Sequence, residues 1–173
     1  MSERRAGGVS PGRWRARRGA TLAVAFAALL VSRPGFGASA TVTVPALVSF
    51  QIYDVNVSTT ASPSSVRISF RDATMGLGES LRISVSADAS TFATPGGGTA
   101  IPASALSWTT SSAVNGTGSP GTLDSGSFQA VYDSVANATS GSVDMTWTLA
   151  PPPAGVAAGD HELTVHYRFE ALF

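Results

Sequence analysis

Alternation of apolar and polar residues with a period of two constrains this chain more than any other feature. Val42, Val44, Ala46, Val48, Phe50 and Ile52 share one parity, with Thr41, Thr43, Ser49 and Gln51 on the other. Val66, Ile68 and Phe70 alternate with Arg67, Ser69 and Arg71; Leu81, Ile83, Val85 and Ala87 alternate with Arg82, Ser84 and Ser86. Phe128, Ala130 and Tyr132 form a shorter run, and two more follow at Val143–Leu149 and Leu163–Phe169. Successive side chains of a strand point to opposite faces, so each run places one face on a core and the other in water. Helical periodicity is absent after residue 40. Turn formers separate the runs, among them Ser62-Pro63-Ser64, Pro95-Gly96-Gly97-Gly98 and Asn115-Gly116-Thr117-Gly118. The pattern predicts an all-β, antiparallel two-sheet β-sandwich of seven to nine strands. Its expected core includes Phe70, Ile83, Trp108, Trp147, Leu149, Val165 and Tyr167. Residues 88–125, rich in Ser, Thr and Gly, are predicted to be long loops around one or two short strands.

The first 40 residues read differently. Seven of the 11 basic residues precede residue 40, and Arg4 to Arg18 form a basic segment. Ala20–Val31 is then an unbroken apolar run, long enough for a signal-peptide core and short for a membrane span. Ala38-Ser39-Ala40 supplies small residues at the positions a signal peptidase reads, which predicts cleavage after Ala40, with Gly37 and Ala38 as alternative sites. The expected organisation is a signal peptide over 1–40 and one sandwich domain over 41–173. An uncleaved anchor needs a longer apolar run. Arg17-Arg18 invites a twin-arginine route, but Gly19-Ala20-Thr21 lacks the bulky residues that would follow.

The body excludes several function classes. Residues 41–173 hold four arginines against ten acids, a net charge of −6, and the chain has no lysine. That argues against nucleic acid and polybasic membrane binding. With no cysteine there is no disulfide, thiol nucleophile or cysteine metal site. His161 and His166 are five apart in an alternating run, so they point to opposite faces rather than sharing the i, i+4 helical face of a zinc protease. No Gly-x-Ser-x-Gly elbow occurs. Asp72 with Glu79 is a candidate calcium pair across glycines, weighed against solvated loop acids. Asn56-Val57-Ser58, Asn115-Gly116-Thr117 and Asn137-Ala138-Thr139 match the glycosylation pattern, which a Ser/Thr-rich chain also produces by chance.

Two resemblances carry further expectations. Met145-Thr146-Trp147-Thr148-Leu149, followed by prolines, resembles the Trp-x-Leu motif of bacterial WxL-type surface domains, and Leu106-Ser107-Trp108 lies in a similar context. The likeness covers roughly residues 100–173 and implies cell-wall binding, although a further alternating run, His161–Phe169, follows the motif. The chain also resembles pilins assembled by donor-strand exchange. In that likeness Thr41–Ile52 is the donated arm, and a glycine, Gly159, introduces the terminal strand. The other reading makes Thr41–Ile52 the first strand of a self-contained sandwich.

The resulting expectation is a non-catalytic, exported structural or interaction protein of the bacterial cell envelope or an extracellular assembly. Alternatives are a pilus or coat subunit and a carbohydrate-binding module using exposed tryptophans. The sequence implies no cofactor. Expected partners are other envelope or surface proteins, further copies of the chain, or cell-wall glycan, with no nucleic acid and no membrane after signal cleavage. The expected location is the periplasm, cell surface or exterior.

Overall fold

The computed structural model describes residues 39–173 and the backbone of residues 20–30. The strands are β1 (Ala20–Leu30), β2 (Ser39–Thr43), β3 (Leu47–Ile52), β4 (Thr59–Thr60), β5 (Val66–Thr74) and β6 (Ser80–Ala87). They continue with β7 (Leu106–Val114), β8 (Gly116–Gly118), β9 (Gly121–Thr122), β10 (Gln129–Ser134), β11 (Gly141–Leu149) and β12 (His161–Leu172). One sheet runs β3-β1-β12-β6-β10-β8; the other runs β2-β5-β11-β7-β9, with β4 also paired to β11. Every pairing between these strands is antiparallel except that of β1 with β12. The architecture is thus all-β and sandwich-like. More strands appear than the alternation predicts because β4, β8 and β9, of two or three residues, are too short to show a period.

The alternating parity becomes the inner face. β11 is buried at every second residue from Gly141 to Leu149, and β12 likewise from His161 to Phe169. Phe70, Ile83, Trp108, Trp147, Leu149, Val165 and Tyr167 are all buried. Phe70 of one sheet meets Tyr132 of the other with ring centroids 6.2 Å apart. Register sets Trp147 opposite Trp108, and their rings lie 5.3 Å apart, tilted by 59°. Such tilted pairs suit the aromatic quadrupole. Gly141 is required where it stands, because an added Cβ would run into the Tyr132 hydroxyl and the Phe70 ring.

Two expectations need correction. Thr41–Ile52 is not one strand: β2 ends at Thr43, β3 begins at Leu47, and the halves belong to different sheets. Pro45 lies between them; it has no N–H to give a ladder, so a continuous strand through it loses a bond. Within 88–125, β7 is a full nine-residue strand paired on both sides, to β11 and β9. Its outer half, Thr109–Val114, is mostly exposed and polar, so no alternation announces it. A bulge opposite Val143, where Ser112 has φ 50°, also shifts its register.

Candidate functional site

The feature with the clearest functional content is the place β1 occupies. β1 lies between β3 and β12, and neither of those strands touches the other across the sheet. On one side, Leu22 to Leu30 run parallel to His161 to Phe169, nine register pairs. On the other, Ala20 to Ala25 run antiparallel to Ile52 to Leu47, six pairs. Taking β1 out leaves β3 and β12 two strand spacings apart, roughly 9.5 Å, with facing rows of N–H and C=O groups. The slot is built by residues whose positions follow from local sequence. Val48 and Phe50 on β3, and His161, Leu163, Val165, Tyr167 and Phe169 on β12, are buried along its two rails.

Each rail is held from behind. β12 pairs with β6 from Val165 to Leu172. Nearer its start, Glu162 and Thr164 accept backbone hydrogen bonds from Ala93 and Asp88 at 2.8 and 3.0 Å. β3 is tied by the reciprocal bonds Ser49 N–H to Ser62 O, 3.0 Å, and Ser62 N–H to Ser49 O, 2.7 Å. β12 thus has a sheet partner besides β1, and β3 is joined to the rest of the fold at its bridge to Ser62. An unpaired strand edge beside an apolar core is a template for another strand.

His161 was not expected at this site. Its parity matches Leu163 and Val165, which is the signal that places it on the inner face, and it is fully buried. Its Nε2 lies 2.9 Å from the Ala157 carbonyl. His166, on the opposite parity, is half-buried, so the two histidines do diverge across the sheet.

The other candidate groups do not converge. Glu79 is buried and accepts the Gly76 N–H at 2.5 Å, whereas Asp72 is exposed beside Arg71 at 3.7 Å. Among the described residues no group of three or more His, Cys, Asp or Glu is placed to hold a metal ion. Trp108 and Trp147 are 2% and 1% exposed and present no face to a glycan, which removes these two as the platform of the carbohydrate-binding alternative. Trp14 lies outside the described residues. Trp108 donates its indole N–H to the Ser119 carbonyl at 2.8 Å, satisfying its one polar atom. Asn115 and Asn137 are exposed but engaged: Asn115 donates to the Ser140 carbonyl at 2.9 Å, and Asn137 accepts from the Gly78 N–H at 2.8 Å.

Charged groups are spent between neighbouring strands. Arg67 forks onto Asp144 at 2.7 and 2.9 Å, and Arg82 onto Asp133 at 2.7 and 3.3 Å. The Arg67 hydrogen bond holds the Asp144 carboxyl below its ordinary pKa. Asp124 is lowered as well, chiefly by the Ser127 hydroxyl it accepts from. Burial pushes the Tyr132 phenol up to about 12, and raises that of Tyr167. The two Arg–Asp pairs tie neighbouring strands together, and Asp124 holds the Ser127 hydroxyl at 2.6 Å within its own loop.

The predicted leader bears on the slot. Ala38 lies outside the described residues, as do the basic segment and Arg33. Ala40 is half-buried within β2, and its neighbours Ser39 and Thr41 pair with Thr74 and Arg71 of β5. A peptidase needs its substrate extended and unpaired, so scission after Ala40 requires β2 to be free of β5. Compared with known proteins, the chain matches no protein-family model and no curated protein.

Proposed function

We propose that this chain is a non-catalytic, exported structural subunit of the bacterial cell envelope or an extracellular assembly, joined to its neighbours by strand addition in the pilin-like manner. The observation that carries the reading is the slot between β3 and β12, a sheet interior filled by a strand outside the predicted mature domain. Once residues 1–40 are removed, the domain lacks an internal strand and retains its two rails. Main-chain hydrogen bonds then supply affinity for an incoming strand, and the alternate core positions supply selectivity. In this reading Asp144 and Asp133 serve as ion-pair partners of Arg67 and Arg82 between neighbouring strands, and Tyr132 and Tyr167 serve as core residues.

The arm Thr41–Ile52 is a poor donor in this reading. Both halves are used within their own chain, β2 on β5 and β3 beside the slot. The incoming strand is therefore another segment with alternating apolar residues.

The test is the state of the processed protein taken from its native envelope. Ladders or a mixed complex that survive mild detergent and collapse to single chains on boiling are expected. A processed, folded, solitary monomer with fully protected β12 amides would overturn the proposal.

A further inference from the structure

We infer that Ala20–Leu30 is the chain's own plug for the strand slot: the unprocessed chain is self-complemented and closed to assembly, and severing the link after Leu30 opens it. This rests on the strand-addition reading above and adds to it the regulation of the same site.

Three observations support the plug. First, β1 satisfies both rails at once, with nine register pairs to β12 and six to β3. Second, its sequence suits an interior strand. Ala20–Leu30 has no charge to bury and no proline, so each of its residues carries an N–H for a ladder. Register positions 24, 26, 28 and 30 fall opposite Leu163, Val165, Tyr167 and Phe169, the buried parity of β12. Third, the covalent path is short and starts at the correct end. Leu30 pairs with Phe169, near the end of β12, while Ser39 pairs with Thr74, near the end of β5. Only five residues separate Thr74 from Ser80, which itself pairs with Leu172. Both ends of the 31–38 link therefore lie at one end of the sandwich. Eight residues span at most about 29 Å, enough for that connection.

The energetic consequence follows from connectivity. While the link is intact, the plug sits beside its slot at an effective concentration on the order of millimolar, typical of a short tether. A competing strand at about 10 μM then faces roughly a hundredfold handicap. Hydrolysis after Ala38, or after Ala40 once β2 is free of β5, breaks that tether: water adds across one peptide bond, and the plug becomes an ordinary dissociable strand. The apolar run expected to direct export thus has a second destination, the interior of its own sheet.

The experiment uses the full chain with a specific protease site placed within residues 31–38, so that the protein folds before it is cut. A fluorescent peptide with the sequence of residues 20–30 is the probe. Uncut chain should take up little peptide, and cut chain should take up one per molecule at roughly a hundredfold lower peptide concentration. A peptide carrying the substitution Phe26→Asp, at the register position of the buried Val165, should bind at least about tenfold more weakly, because an unpaired charge is costly beside an apolar row. Equal uptake by cut and uncut chains, or indifference to Phe26→Asp, would overturn the inference. Its failure separates from failure of the proposed function. Uncut chains that assemble as readily as processed ones defeat the plug alone. Cut chains that bind the peptide, while the native processed protein is solitary, defeat assembly and leave the plug standing.

Discussion

Trp147→Ala separates a packing role from a binding role for the motif that resembles a surface-domain signature. Trp147 is 1% exposed in the second half of β11, between Met145 and Leu149 on the same buried face. Its ring lies 5.3 Å from that of Trp108 on the adjacent strand. Truncating a buried aromatic to alanine costs about 3–5 kcal/mol, from lost transfer energy and the cavity left behind. Roughly 0.5–1.5 kcal/mol of that belongs to the tilted pair with Trp108. A domain of this size has about 5–15 kcal/mol in total, so the variant stays folded with a much reduced margin, and its melting midpoint falls by roughly 10–20 °C. Urea and thermal unfolding measure the loss. Trp108→Ala and the double variant close a cycle in which the double loss falls short of the sum by about 0.5–1.5 kcal/mol. An unchanged midpoint, together with altered retention on a cell-wall glycan column, would refute the reasoning and restore the binding role.

Further expectations follow from the same packing. Gly141→Ala forces a methyl against Tyr132 and Phe70, both core residues, and should cost about 1–3 kcal/mol as an overpacked site; Gly126→Ala, with its nearest contact at 3.7 Å, is the control that should leave urea midpoints nearly unchanged. Alkaline pH should destabilise the fold. Tyr132 titrates near 12 when folded, against 10 for an ordinary phenol, so the unfolded chain loses its proton first and stability falls between about pH 10 and 12. Tyr132→Phe should flatten part of that fall in a pH series of unfolding midpoints, at the cost of the 2.6 Å bond to the Val114 carbonyl. Deleting Thr41–Val48 removes most of β2 and the first two residues of β3, leaving β5 largely unpaired on one edge; light scattering should show aggregation, and a soluble, cooperative domain would show that these residues are dispensable.

The period-two pattern determined a great deal alone. Parity on a strand is a local property, since adjacent Cβ atoms must face opposite ways. The inner face of β5, β6, β11 and β12 was therefore legible, together with Phe70, Ile83, Trp147, Leu149, Val165 and Tyr167. The same parity would have placed His161 inside, had it been counted with Leu163. Composition likewise bounded the chemistry, because a chain without cysteine or lysine lacks whole classes of site.

Strand partners were not legible. Hydrogen bonds between strands are made by backbone groups that every residue except proline carries, so alternation says which face is buried and not which neighbour lies alongside. Only the tertiary structure split Thr41–Ile52 at Pro45 between two sheets, and only it carried β7 on through Thr109–Val114, a mostly exposed stretch held by pairing to β11. The slot is the strongest case. An apolar run of this length has the same sequence whether a membrane, an export channel or a sheet interior receives it. What selects the sheet is the spacing of β3 and β12, two rails that lie far apart in sequence and meet around a strand-wide gap only once the rest of the fold holds them there.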